Sequence, residues 1–425
     1  MNPHTIATQV LAGDYSQLPG EPLSWMGWMS HPAQLSDLLE DLLTLNLRHH
    51  EKTILVGMGG SSSGAGMLAH ELGNTAITIL DTSHPDTIQG TEFENANLVV
   101  SSKSGGTVET IATMAYALSH GASPSDLTVI TDAGTALDEL GHSLGAAVLH
   151  GDPNTGGRFS ALSVFGIAPV LIAGSVNIPT SVLGAKEWIE SFAHGANAAP
   201  ASGWGSTVVS GDPLTCFTAL WEEQLIAEST GKSGKGVLPA PGSPREVLDA
   251  VLHVQRSHAF TVGLCTALGV DPFTQPDVEA SKRRTFVELG RPTEDHFVNP
   301  EALTAWIERG GPIVLQVYGP LARAEEVASL RAAIAAMGHE VSAGLGPRYL
   351  HSTGQIHKGG SAELRFLQVL VEPRCAPERI SGRDYSFHDL ITAQARGDYQ
   401  ELLSRGRDIV RVKIAPDESL VALLH

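Results

Sequence analysis

The sequence predicts an α/β protein made of two three-layer α/β/α units, each a parallel sheet flanked by helices. Three observations carry the prediction. Short apolar runs such as Ile77–Leu80 and Leu98–Val100 lack the polar alternation of a half-solvated strand, so both of their faces are buried. Each run is followed by a loop and then a segment of helical period, the β–α alternation of a parallel sheet. The alternation resumes in the second half of the chain, after residue 206.

The elements follow in order. Leu35, Leu38, Leu39, Leu42, Leu43 and Leu45 mark a helix between residues 30 and 50. A strand at Thr53–Val56 runs into a loop over Gly57–Gly64 and a helix from Ala65 to Leu72. Ile77–Leu80 is a second strand, ending at Asp81. Leu98–Val100 leads into the loop Ser101–Thr107 and a helix through Leu118. Leu127–Ile130 and Ala146–Leu149 complete the first set of strands. The stretch Phe159–Val176 reaches the roughly 18 residues of a membrane span, but Ser160, Ser163, Gly166, Pro169 and Gly174 make it a buried core helix. Residues Ala193–Ser206 are rich in Ala, Gly, Pro and Ser, which places the domain boundary there and divides the chain into 1–195 and 196–425. Beyond it come a strand at Thr207–Ser210, a helix reaching Trp221, and helices over 244–268 and 276–289. A strand at Pro312–Tyr318, a helix over 321–337 and a strand at Glu340–Ala343 follow. Strands at Phe366–Val371 and Ile409–Ile414 enclose a helix over 386–404.

Length and composition agree. At about 150 residues per domain, 425 residues suit two or three domains. The net charge of −19 argues against a protein that grips nucleic acid or an anionic membrane, while leaving room for a small anion held by local donors. Cys216, Cys265 and Cys375 are far apart, and neither CxxC nor HExxH occurs, so no metal site is expected. Sparse cysteines and a start without a basic-then-apolar stretch point to a reducing, cytoplasmic setting without membrane insertion.

The glycine-rich loops carry the chemistry. Gly57 and Gly59, with Asp81 ending the next strand, partly fit a dinucleotide site, but Ser62 stands where the third glycine belongs. Gly231-Lys232-Ser233 looks like the end of a phosphate-binding P-loop, yet Ile226 occupies the position of its first glycine. The loop Ser102-Lys-Ser-Gly-Gly-Thr107 is more informative. Its hydroxyls and the N–H groups of the helix that follows suit a phosphate dianion; a serine-rich helix cap is the alternative.

Six segments together resemble the phosphoglucose isomerase family of sugar-isomerase-domain proteins. They are Val56-Gly-Met-Gly-Gly-Ser-Ser62, Ser102–Thr110, Gly156-Gly-Arg-Phe-Ser160, Glu228-Ser-Thr-Gly-Lys-Ser-Gly-Lys-Gly236, Asp271–Lys282 and Leu350–Gly360. The likeness is greatest to the isomerase half of bacterial transaldolase–phosphoglucose isomerase fusions. It implies two sugar-isomerase-type domains, interconversion of glucose 6-phosphate and fructose 6-phosphate, no cofactor, and a homodimer with shared active sites. Here the chain order is Glu228, Lys282, His351, whereas the usual isomerases place the histidine between the other two.

The resemblance assigns roles that the chemistry can use. Moving a proton between C2 and C1 through an enediolate needs one base, and Glu228 takes that role. Its alternative is a helix-end carboxylate paired with Lys232 or Lys235. Arg158 supplies a fixed cation beside the developing oxyanion. Lys282 and His351 open the sugar ring, with His357 and Lys358 as neighbours able to stand in for His351. Ser102, Lys103, Ser104, Thr107 and Gln275 hold the phosphate, and Gly59, Gly60 and Ser61 lie against the sugar. The same residues would serve mannose 6-phosphate or another 6-anionic aldose such as a sulfosugar, and sugar-isomerase domains also act as non-catalytic sensors.

Overall fold

The computed structural model describes residues 2–290 and 294–424, with residues 278–282 described by their backbone alone. Among the described residues, eleven strands form three sheets, and every strand pairing is parallel. The first sheet contains β1 (Lys52–Gly57), β2 (Ile77–Leu80), β3 (Ala96–Ser101), β4 (Leu127–Thr131) and β5 (Ala147–His150), ordered β2-β1-β3-β4-β5. A two-stranded sheet joins β6 (Trp204–Val209) to β7 (Gly236–Pro241). The last sheet comprises β8 (Ile313–Tyr318), β9 (Val341–Gly346), β10 (Arg365–Val371) and β11 (Asp408–Ile414), ordered β11-β10-β8-β9.

Both faces of the first sheet are covered, as its apolar strands require. Leu55, Val99 and Ile130 pack into one core cluster with the buried helix Val164–Ile172. Ile54, Val56, Leu98, Val100 and Val129 pack into another on the opposite face. The last sheet repeats the arrangement, with Ile313, Leu315 and Val317 on one side and Val314 and Phe366 on the other. No helix among the described residues is long and apolar enough to cross a membrane.

Several elements differ from expectation, among them three in the middle of the chain. The Ala/Gly-rich stretch read as a boundary is helical as far as Asn197, within the helix Ala185–Asn197. Its small residues serve close packing: a side chain at Gly195 would collide with the Phe260 carbonyl on the helix Ala250–Leu268. Strand β7 carries Pro239 and Pro241 and pairs only with β6, so the missing N–H groups cost no ladder bond.

The third difference bears on function. The helix expected to reach Trp221 runs on as Phe217–Thr230, buried from Thr218 onward. Its charged residues are accommodated in the interior. Glu222 accepts from the Ser210 N–H at 2.6 Å and from the Ser210 hydroxyl at 2.9 Å, and lies 3.0 Å from His253. Glu223 is pushed up to about 8, first by burial and then by Asp212, against the pull of Arg331 and Arg348. The folded protein therefore holds this proton where the unfolded chain, at the ordinary 4.5, has released it. Stability from this group is greatest below pH 4.5 and declines as pH rises to about 8. Glu223→Gln is expected to flatten that decline, read as the urea midpoint across this pH range; an unchanged slope would refute the assignment.

Candidate functional site

The chain order of the first sheet reverses between β1 and β3, which leaves a crevice beyond their carboxyl ends, the usual ligand position in an open α/β sheet. The two loops singled out in the sequence emerge there. After β1 the chain turns tightly at Gly59–Ser61 before the helix Ser63–Glu71. Gly59 has φ +57°, and a side chain on it would strike the backbone of His351. A side chain on Gly60 would strike the backbone of Gly157. These glycines let three segments meet at one point: the first loop, the Arg158 turn and the His351 turn.

After β3 the second loop folds on itself. The Ser102 hydroxyl donates to Thr107 Oγ1 at 2.9 Å, and the Gly106 N–H lies 3.4 Å from Ser104 Oγ. Thr107 opens the helix Val108–Ser119 without a side-chain cap, and first-turn N–H groups of a helix lack intrahelical acceptors. Ser61 joins the two loops, its hydroxyl accepting from the Lys103 N–H at 3.3 Å. Lys103 departs from its expected place. Its ammonium turns to Asp132 Oδ2 at 2.5 Å and the Asp152 carbonyl at 3.1 Å, so what it offers the loop is backbone.

Arg158 sits on the turn Gly157–Phe159, and its side chain is only 2% exposed. The guanidinium makes four hydrogen bonds and one ion pair. Nε donates to Ser229 Oγ at 2.8 Å and Nη1 to Gln275 Oε1 at 3.0 Å, while Nη1 lies 3.3 Å from Glu228 Oε1 as an ion pair. Nη2 donates to the Pro272 and Thr274 carbonyls. The cation is thus locked in place beside Glu228 and Gln275. Gln275 is exposed and held by Arg158 at the rim.

Glu228 lies in the last turn of the central helix Phe217–Thr230. It does not pair with either nearby lysine. Lys232 donates to the carbonyls of Ser229 and Asp271, and Lys235 to that of Leu268. Burial, and then Arg158, pull Lys232 down to about 8. Gln224, one turn before Glu228, was not singled out from the sequence and is the hub of the arrangement. Its amide nitrogen donates to Glu228 Oε2 and to the His351 carbonyl, each at 3.0 Å, while its oxygen accepts from Ser63 Oγ at 2.6 Å. The i, i+4 spacing to Glu228 is its only sequence signal.

His351 arrives from the other sheet, on the turn Arg348–His351 that follows β9. Its Nε2 lies 2.8 Å from Oε1 of Glu109, a buried carboxylate on the helix behind the second loop. Gln394 donates to the same oxygen at 2.6 Å. The His351 backbone lies against Gly59 and Gln224 of the same chain. Its late place in the sequence is offset by β9, the edge strand that points the turn toward the first sheet. The two stand-ins are excluded by position. His357 is fully buried beside Gln316, and Lys358 forms an interior ion pair with Asp398 at 2.6 Å. Lys282 belongs to the helix Val278–Gly290, but its side chain lies outside the described residues. Asp81, the ribose contact of the dinucleotide reading, is instead bound by Arg348 at 2.7 Å.

No family model matches the chain. It is similar to curated proteins named glucose-6-phosphate isomerase. The Campylobacter jejuni protein is 33% identical over 153 residues, which is 33% of this chain and 37% of that protein. A probable glucose-6-phosphate isomerase of Haloarcula marismortui is 31% identical over 216 residues, 45% of this chain and 49% of its own. The Parabacteroides distasonis protein is 26% identical over 262 residues, 51% and 58% of the two chains. The matches thus span from about a third to just under three fifths of these relatives' lengths. Among solved structures, a hypothetical protein of Thermus thermophilus aligns with 99% of this chain and 85% of its own at 16% identity, with a TM-score of 0.34.

Proposed function

We propose that this chain is an aldose–ketose isomerase that interconverts glucose 6-phosphate and fructose 6-phosphate. The observation that carries the reading is the meeting of Glu228, Arg158 and the His351–Glu109 pair beside two anion-suited loops. Sequence similarity to proteins named for that activity supports it. In this reading the Ser102–Thr107 loop and Gln275 receive the phosphate, with Ser104 exposed at the mouth. Gly59, Gly60 and Ser61 form the floor under the sugar.

His351, held by Glu109, exchanges a proton with the ring oxygen as the pyranose opens, and Lys282 assists at the anomeric hydroxyl. Glu228 takes the C2 proton and returns it to C1, while Gln224 keeps its carboxylate aimed. Arg158 balances the enediolate charge without being able to donate its proton away, because guanidinium stays protonated. The sequence order of these groups does not matter to the chemistry, since geometry defines the site. We place the division between two sugar-isomerase-type domains near residue 195, the first holding β1–β5 and the second the remaining strands. A homodimer in the cytoplasm is the setting the resemblance implies; light scattering on the purified protein reads the assembly.

The test is turnover of fructose 6-phosphate to glucose 6-phosphate with no metal added, followed by a coupled dehydrogenase. Turnover in the presence of chelator is expected. Binding of fructose 6-phosphate without turnover would instead favour a sensor, and turnover restricted to mannose 6-phosphate or a sulfosugar would move the substrate.

A further inference from the structure

The outer edge of the first sheet carries a cluster that the isomerase chemistry does not use. Asp138 lies in the first turn of the helix Ala136–Leu144, His142 one turn later, and His150 ends the edge strand β5. Both imidazoles direct Nε2 at the same oxygen, Asp138 Oδ1, from 3.3 Å for His142 and 2.9 Å for His150. The other carboxylate oxygen is occupied by the Gly134 N–H at 2.7 Å, so the carboxylate is oriented from behind and presents Oδ1 outward. All three donor atoms lie within 4.8 Å of one another.

We propose that Asp138, His142 and His150 form a binding site for a borderline divalent transition metal of the Zn²⁺ kind. Two imidazoles and one carboxylate are a donor set suited to such ions. Metal–ligand bonds of about 2.0–2.2 Å put neighbouring ligand atoms about 3–3.5 Å apart, the range in which both histidine–aspartate separations already fall. The remaining adjustment is between the two imidazoles. Their side chains are 64% and 44% exposed, so rotation of either costs little packing. Three protein ligands leave the outer coordination positions to water. Zn²⁺ taken up here ties the end of an edge strand to the helix that precedes it, at the start of the segment leading to Arg158, and stabilises the fold by mass action.

The sequence gives a weak signal of this site, since an Asp-x-x-x-His helical pair is completed by a residue from a different element. The proposal does not depend on the isomerase reading, because its readout is metal uptake. The experiment titrates the full chain, purified free of metal, with Zn²⁺ against a chromophoric chelator, and repeats it for His142→Ala, His150→Ala and the double variant that carries both. The native chain is expected to bind one more Zn²⁺ than the double variant, with each single variant weakened about tenfold or more, or roughly 1.4 kcal/mol. Zn²⁺ should also raise the melting temperature of the native chain more than that of the double variant. Both variants alter exposed side chains, and a native circular dichroism spectrum verifies their folding. Equal Zn²⁺ uptake by the native chain and the double variant, or no uptake by either, would overturn the proposal and leave the cluster as a pair of hydrogen bonds.

Discussion

Glu228→Gln is expected to lower kcat for fructose 6-phosphate isomerisation by about 10²–10⁴-fold, the usual contribution of a positioned general base. In free energy this is about 3–5 kcal/mol of lost transition-state stabilisation. The substitution is nearly isosteric, and its amide oxygen can still accept from Gln224 Nε2, which now stands 3.0 Å from the carboxylate. Fold and substrate binding should therefore survive, and KM should change much less than kcat. The measurement is steady-state kinetics of the native and variant proteins in the coupled assay. A variant that keeps native turnover would remove Glu228 from the mechanism and shift the base to another group beside the crevice.

Lys358→Met is expected to destabilise the protein by about 3–5 kcal/mol, the cost of removing one partner from a buried ion pair. Lys358 and Asp398 have side chains 1% and 0% exposed and lie 2.6 Å apart. Asp398 also accepts from the Tyr349 hydroxyl at 3.0 Å, and that hydroxyl lies 2.9 Å from the hydroxyl of Tyr318. Burial and the Asp398 charge push both tyrosines well above their ordinary range, so they remain hydrogen-bond donors. The network sits directly under the turn that carries His351, and the same variant should reduce isomerase turnover as that turn loosens. Chemical denaturation followed by circular dichroism reads the stability. The double variant Lys358→Met/Asp398→Leu should recover part of the loss, because an apolar pair removes the stranded charge. A single variant as stable as the native protein would show that the ion pair contributes nothing net.

Much of the site was legible because its loops carry local signatures. The glycines at 59 and 60, the hydroxyls of the Ser102–Thr107 loop and the Gly-Gly-Arg turn each reflect a backbone constraint or an anion preference within a few residues. Lys103 was misplaced for the same reason: spacing puts a lysine in the loop but cannot tell which acid its long side chain will meet. Asp132 and the Asp152 carbonyl, from the ends of β4 and β5, take it. Gln224 escaped notice because an amide in a helix has no signature until its three partners converge. His357 and Lys358 look like His351 in sequence, and only their burial separates them.

The sequence by itself determined the parallel α/β layers, since apolar runs with both faces buried and intervening helices admit few other arrangements. It also determined the chemical inventory of the site: a carboxylate, a guanidinium, an imidazole and two loops suited to an anion. Only the tertiary structure decided that the helix bearing Glu228 continues through the interior. The same holds for Glu109 as the partner of His351, 242 residues away. Periodicity and turn chemistry act over a few residues and are written locally. Contacts between the two large sheets depend on how whole elements pack, and no local pattern encodes them.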